Sequence, residues 1–281
     1  PLARQRLILL LGGQMGWLDD AIGSESSDEP SSTQRDHTRW IWGRHLGARL
    51  HLGSSWSLLA SGGHSQRAPS FFELFGDRGA VRGNTELASE AQDSFDLGLT
   101  YRALEPPDVG IALVELAVYR KAVTDLIRFV NNSQKVSQPH NIGKANIGGL
   151  ETRFYAGVST MFTLGASYQY QRAENRSPFA YERGNDLPNA PRHAFQAELS
   201  YADTRYSATY ETVRESRHYL DRANLRPVRS RSVHTVRAGR RFGPAIGLEF
   251  EIRNLTDNQV ADLWGYPLPG RSYFASVRHQ R

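Results

Sequence analysis

The residue types that could carry chemistry are plentiful in this chain, and their spacing decides among the possibilities. There are nine histidines and no cysteine, so a thiolate metal site and a disulfide framework are both out of reach. The histidines form no His-Glu-x-x-His pattern. His45 and His51 stand six apart and the rest are scattered, which gives no ligand set for a metal. Ser232 and His234 are a close serine and histidine on the same side of an extended segment, but a hydrolase also needs a group that orients the base and donors for an oxyanion. The chain has no Gly-x-Ser-x-Gly elbow and no Gly-x-Gly-x-x-Gly or phosphate-binding loop. It reads as a non-enzyme without a cofactor. One stretch, Asp19 and Asp20 through Glu25, Asp28 and Glu29, is acidic enough to offer calcium hard oxygen ligands. A solvated acidic loop fits it better.

The charges themselves are arranged in alternation. Thirty-four basic and 29 acidic residues give a net charge of +5, but they are interleaved along the chain instead of clustered, which argues against a nucleic-acid partner. With 39% hydrophobic residues, no run approaches the roughly 18 to 20 apolar residues of a spanning helix. A transmembrane barrel survives that test, because its strands need about 9 to 11 residues each and present only alternate residues to lipid.

Period-two alternation recurs throughout. Phe95, Leu97, Leu99 and Tyr101 alternate with Asp96, Gly98, Thr100 and Arg102; Phe162, Leu164, Ala166, Tyr168 and Tyr170 with Thr163, Gly165, Ser167, Gln169 and Gln171; Ile246, Leu248, Phe250 and Ile252 with Gly247, Glu249, Glu251 and Arg253. The pattern predicts about twelve strands, near 5–18, 38–52, 55–65, 90–103, 110–130, 141–157, 161–173, 192–201, 205–215, 231–242, 246–253 and 271–280. Short turns (53–54, 104–108, 159–160, 202–204, 243–245) alternate with long polar loops (19–37, 66–89, 131–140, 174–191, 216–230, 254–270). Tight turns at one end and long loops at the other are the asymmetry of an outer-membrane barrel, whereas a soluble β-sandwich has no reason to keep it. Aromatics near strand ends, among them Trp40, Trp42, Trp56, Tyr101, Tyr119, Tyr168, Tyr170, Tyr201, Tyr206, Phe242 and Tyr273, suit interfacial girdles. Arg240 falls on the apolar side and is expected to snorkel at an interface, unless the register there is off by one.

Several motifs then carry a resemblance. Arg67-Ala68-Pro69-Ser70-Phe71-Phe72-Glu73-Leu74-Phe75-Gly76 is followed by Gly83-Asn84, Leu87 and Glu90; next come Asn141-Ile142-Gly143 with Gly148-Gly149-Leu150-Glu151, then Leu187-Pro188-Asn189-Ala190-Pro191-Arg192-His193, then Asn254-Leu255-Thr256-Asp257-Asn258 and Pro269-Gly270-Arg271-Ser272-Tyr273-Phe274. In type and order this resembles the barrel of TonB-dependent outer-membrane receptors. The glycine pair at 148–149 reads as free backbone torsions where a loop descends into the wall.

The resemblance implies an all-β, antiparallel up-and-down transmembrane barrel of which this is the carboxy-terminal half or so, about 12 of roughly 22 strands. Residues 1–281 read as one partial barrel, with the plug domain and TonB box not present. The implied function is TonB-dependent uptake, across the outer membrane of a Gram-negative bacterium, of a scarce nutrient such as a ferric siderophore or cobalamin. The implied partners are outer-membrane lipid, a small iron chelate or vitamin, and the TonB complex through the plug. Loop aromatics and arginines are the expected ligand contacts: Phe71, Phe72, Arg78, Arg82, Tyr181, Arg183, Tyr219, Arg222, Trp264 and Tyr266. Arg49, Arg102, Glu151, Arg153, Glu198, Arg237, Arg241, Glu249, Glu251 and Arg253 are expected to face the lumen and the plug. The alternative is a self-contained 12-stranded pore or secretion translocator, which an even strand number permits.

Overall fold

A computed structural model of the chain describes residues 6–20, 37–77, 81–105, 108–131, 137–243, 245–259, 261–263 and 266–279. In chain order the elements are β1 (Leu7–Asp20), β2 (His37–His51), β3 (Trp56–Arg67), the short helix α1 (Phe71–Phe75), β4 (Glu90–Arg102), β5 (Gly110–Asn131), β6 (Ser137–Gly157), β7 (Phe162–Asn175), β8 (His193–Ala202), β9 (Tyr206–Glu215), β10 (His218–Tyr219), β11 (Pro227–Val228), β12 (Arg231–Phe242), β13 (Ile246–Arg253), β14 (Ala261–Leu263), β15 (Tyr266–Pro267) and β16 (Ser272–His279). Twelve of these strands make one sheet in the order β1-β2-β3-β4-β5-β6-β7-β8-β9-β12-β13-β16. Each is antiparallel to the next, an up-and-down meander. Among the described residues the sheet is open, with β1 and β16 as its edges. The pairs β10–β11 and β14–β15 are small hairpins outside the sheet.

Register explains why the alternation is kept so strictly. Residues directly opposite in neighbouring strands share a face, so one slip would turn a whole strand's side chains over. Trp56, Leu58 and Ala60 lie opposite Tyr101, Leu99 and Leu97, and Val114, Leu116 and Val118 continue the same face on β5. On β1 and β2 the apolar face holds Leu7, Leu9, Leu11, Met15 and Trp17 against Leu50, Ala48, Leu46, Trp42 and Trp40. Apart from half-buried Ala48 these side chains are exposed, Leu11 at 82% and Met15 at 76%. The sheet thus presents an apolar belt outward instead of folding it into a core.

Aromatics edge this belt at both ends. Towards the short turns, Trp56 meets Tyr101 with ring centres 5.0 Å apart, and Phe162 meets Tyr201 at 5.0 Å. Arg240 is indeed on the apolar face, opposite Tyr206 and Leu248, and its guanidinium lies over the rings of Tyr206 (5.5 Å) and Phe242 (4.6 Å). The register has not slipped; the cation sits at the belt's edge on aromatic faces.

Three details differ from expectation. Tyr119 belongs to the polar face, opposite Gly149, and so is not part of a girdle. Gly149 is an ordinary strand residue whose need for glycine is spatial: a Cβ there would lie 2.8 Å from the Tyr119 ring and closer still to the Tyr170 carbonyl oxygen. Within the loop expected at 131–140 the described residues are strand: β5 runs on to Asn131, and β6 begins at Ser137 and pairs Gln138, Pro139 and His140 with Val130, Phe129 and Arg128. A bulge near Asp125, whose φ is 55°, lets this extension depart from the wall below it.

Candidate functional site

The polar face of the wall is built from the alternate residues of every long strand. Pairing puts all ten residues expected to face inward on this one side: Arg49, Arg102, Glu151, Arg153, Glu198, Arg237, Arg241, Glu249, Glu251 and Arg253. Many are ion-paired across strands. Glu115 receives Arg153 at 2.9 Å and Arg102 at 3.7 Å. Arg237 lies 3.4 Å from both Glu211 and Glu251, and Glu251 also binds Arg253, whose guanidinium covers the Phe274 ring at 4.4 Å. Glu198 is opposite Glu211, a like-charge pair eased by Ser200 donating to Glu198 (3.0 Å) and Gln196 to Glu211 (3.0 Å). Between these clusters a groove of about 420 Å³ is lined by Glu115, Glu151, Arg153, Gln169, Gln196 and Glu215. Glu115, Glu211, Glu215 and Tyr119 were missing from the expected set. The alternation of Glu115, Ala117, Tyr119 and Lys121 within β5 was the signal that would have found two of them.

Two loop assemblies crown the end of the sheet where the long connections gather. In the first, Arg67 at the end of β3 donates from Nε to Glu90 (2.6 Å) and from its terminal nitrogens to both oxygens of Glu73 (3.0 and 3.2 Å). Glu73 also closes a capping box on α1, accepting from the Ser70 N–H (2.7 Å) while the Ser70 hydroxyl accepts from the Glu73 N–H (3.3 Å). Burial alone would push the Glu73 carboxyl up, but Arg67 and Ser70 outweigh it and hold the group below the usual carboxylate range. Leu74, Leu87 and Ile127, with Phe75 against them, form a small apolar core beneath α1. Asn84 donates to the Pro139 carbonyl (2.9 Å), and Asn141 grips Ala88 through its N–H (2.7 Å) and its carbonyl (2.9 Å). The Arg-Ala-Pro, Gly-Asn, Glu and Asn-Ile-Gly stretches, far apart in sequence, are therefore parts of a single clamp.

The second assembly joins the β7–β8 connection to the β9–β12 connection. Glu182, almost fully enclosed, accepts from Asn175 (3.3 Å) and faces Arg222 at 3.4 Å. Asn224, in the left-handed region with φ 57°, accepts from the Asp186 N–H (2.9 Å) and donates to the Asp186 carbonyl (3.0 Å). Asp186 holds Arg192 at 2.9 Å, and that hydrogen bond pushes the guanidinium pKa further up.

The expected ligand contacts divide between these assemblies. Phe71 and Tyr181 stand out in solvent, 69% and 67% exposed, and Arg82 is exposed as well. Phe71 packs on Phe75 (4.6 Å between ring centres) and Phe72 on Phe129 (5.9 Å). Arg183 donates to the carbonyls of Ser177 (3.2 Å) and Pro178 (3.0 Å), Tyr219 lies under Arg217 (5.7 Å), and Arg222 serves Glu182. These last three fasten loops. Arg78 and Trp264 lie outside the described residues, and Tyr266 is described only through its backbone in β15. Of the acidic stretch at 19–29 only its first residues are described; Asp19 accepts from the Thr38 hydroxyl at 3.1 Å.

A family model for the TonB dependent receptor-like β-barrel matches residues 3–255. A search of curated proteins finds no match. Among solved structures, copper transporter OprC superposes with a TM-score of 0.78 at 19% identity, over 99% of this chain and 45% of its own. Ferric citrate transporter FecA in its unliganded form gives 0.77 at 18%, over 98% and 43%. Siderophore receptor PiuA from Acinetobacter baumannii gives 0.76 at 18%, over 98% and 41%. The chain spans less than half the length of each, and at this identity the likeness is one of fold.

Proposed function

The chain belongs to the TonB-dependent receptor-like β-barrel family, and from that premise we propose that it forms part of the wall and loops of an outer-membrane receptor that imports a scarce nutrient, such as a metal chelate or cobalamin, at the expense of TonB-coupled energy. The observation that carries this reading is the division of one sheet into an outward apolar belt and an ion-paired polar face, with clamped loops gathered at one end. The belt suits lipid and the polar face suits a hydrated lumen, where a plug would find donors and acceptors. Phe71, Phe72, Arg82 and Tyr181 offer rings and a cation at the loop end, which fits first contact with an aromatic or anionic chelate. The solved proteins it resembles are named for copper, ferric citrate and a siderophore, so a metal or its chelate is the favoured cargo. A closed 12-stranded pore is less well supported, since β1 and β16 are edges among the described residues. The test is uptake of radiolabelled ferric chelates, copper and cobalamin by Gram-negative cells that express the protein, with and without TonB. Uptake that needs both supports the reading; equal uptake in cells without TonB would sink it.

A further inference from the structure

The ion pairing of the polar face stops at its short-turn end. Arg241 on β12 is opposite Gly247 on β13, and Gly247 is opposite Arg278 on β16. On the other flank the ladder between β9 and β12 runs one step past Tyr206 and Arg240, the Arg241 N–H donating to the Arg205 carbonyl at 2.7 Å, so Arg205 heads the same row. Tyr206 and Arg240 belong to the apolar face, which by alternation puts Arg205 and Arg241 on the polar one. The row one step further in is Ser207, Gly239, Glu249 and Ser276. With strands about 4.8 Å apart, three guanidinium groups are rooted along roughly 14 Å of a single row.

No carboxylate answers them. Arg205, Arg241 and Arg278 are exposed and form no ion pair among the described residues, whereas Arg102, Arg153, Arg237 and Arg253 on the same face all meet glutamates. Asp203 is spent within its own turn, accepting from the Tyr201 hydroxyl and from the N–H groups of Arg205 and Tyr206, both at 2.6 Å. Glu249 is the one acid of the next row. Gly247 keeps the space between Arg241 and Arg278 open: a Cβ there would meet nothing within 4 Å, whereas at Gly239, one row in, it would lie 2.5 Å from the Ser207 hydroxyl oxygen. The fold itself does not call for glycine at 247, by packing or by a left-handed torsion. The result is an open hollow of about 440 Å³ whose lining includes Arg205, Ser207, Arg241, Gly247, Glu249 and Arg278, a size that suits a small molecule. A neutral solute gains nothing from this row, and a monoanion does not answer three cations at once.

We propose that Arg205, Arg241 and Arg278 form a binding site for a small polyanion bearing carboxylate or phosphate groups, seated over Gly247 at the short-turn mouth of the polar face. Guanidinium forks present paired N–H donors that match both groups. The site rests on the reading of this face as the hydrated side of the wall. The experiment takes the full chain in an uncharged detergent at low salt and follows binding of citrate and of pyrophosphate by calorimetry. A second arm adds Ser276→Cys, in a chain with no other cysteine, and labels it with a water-soluble maleimide. The parent is expected to bind both polyanions, and acetate at least about tenfold more weakly. The double variant Arg241→Gln, Arg278→Gln should weaken polyanion binding about twentyfold, each exposed cation contributing up to roughly fivefold. Gly247→Leu keeps every charge and fills the hollow, and should weaken it about tenfold. Arg240→Gln, beside the row on the outward face, should bind as the parent does. Failure of the maleimide to label Ser276→Cys would overturn the hydrated-face reading and the site with it. Ready labelling together with no polyanion binding, with binding indifferent to Gly247→Leu, or with binding that Arg240→Gln weakens as much as the double variant does, would overturn the site alone.

Discussion

The ring of Tyr119 on β5 occupies the place that a side chain at Gly149 on β6 would take, and its hydroxyl lies within 3.3 Å of the Gln169 amide on β7. One tyrosine thereby bridges three neighbouring strands of the polar face. Gly149→Ala should therefore destabilise the wall by about 1–3 kcal/mol through overpacking. Gly148→Ala, whose Cβ would make only an ordinary contact with the Tyr119 carbonyl oxygen at 3.5 Å, should change stability by no more than roughly 0.5 kcal/mol. Urea unfolding of the protein in detergent distinguishes them, and equal effects would show that the Tyr119 ring and the Tyr170 carbonyl both give way freely.

The Arg67 clamp predicts a local opening. Arg67→Gln leaves the largely buried Glu73 and Glu90 carboxylates without their cation, a loss of about 2 kcal/mol for charged hydrogen bonds of this kind. The wall hydrogen bonds are untouched. Amide exchange in 70–90 should speed up by roughly thirtyfold, while exchange in β7 and β8 stays as it was.

The same clamp sets a pH dependence. Glu73 has a folded pKa below its unfolded value, so its contribution is complete above the ordinary glutamate range and is lost as pH falls through the depressed folded value. Exchange protection of α1 should decline on acidification and not on making the solution alkaline. Glu73→Gln should flatten this profile, and an unchanged profile would remove Glu73 as its source.

Asn224 links two loops by its side chain and also holds a left-handed backbone. Asn224→Gly keeps the torsion and loses the bonds, so it should cost about 1 kcal/mol; Asn224→Ala loses both and should cost about 2. The readout is protease cleavage within 176–192, which should rise in the order parent, glycine, alanine.

The wall was legible because a ladder preserves period two: an apolar face that slipped by one residue would become polar, so Phe95, Leu97 and Leu99 could be assigned before any pairing was known. The ten charged residues of the polar face followed from the same rule. What was not legible depends on neighbours that period two does not encode. Nothing in the sequence near Arg67 announces that Glu90, 23 positions on, will share its guanidinium with Glu73. Gly149 suggested torsional freedom because its partner Tyr119 lies thirty residues earlier. Loop arginines such as Arg183 and Arg222 read from sequence as ligand contacts, and nothing there shows the partners they meet in the fold, the Ser177 carbonyl and the Glu182 carboxylate. The strand beyond Ser137 was obscured by Pro139, which gives up no ladder N–H there and so reads as a loop residue.

The hairpin of β5 and β6 has one further consequence. Its strands run 22 and 21 residues, roughly twice what a crossing of the hydrocarbon layer takes. Half of each is therefore left to rise above the surface as a mast, stepped at the Asp125 bulge and stayed on one side by Asn84 and Asn141. If the wall lines a transport path as proposed, a solute arriving from the long-loop side meets that mast before it meets the wall.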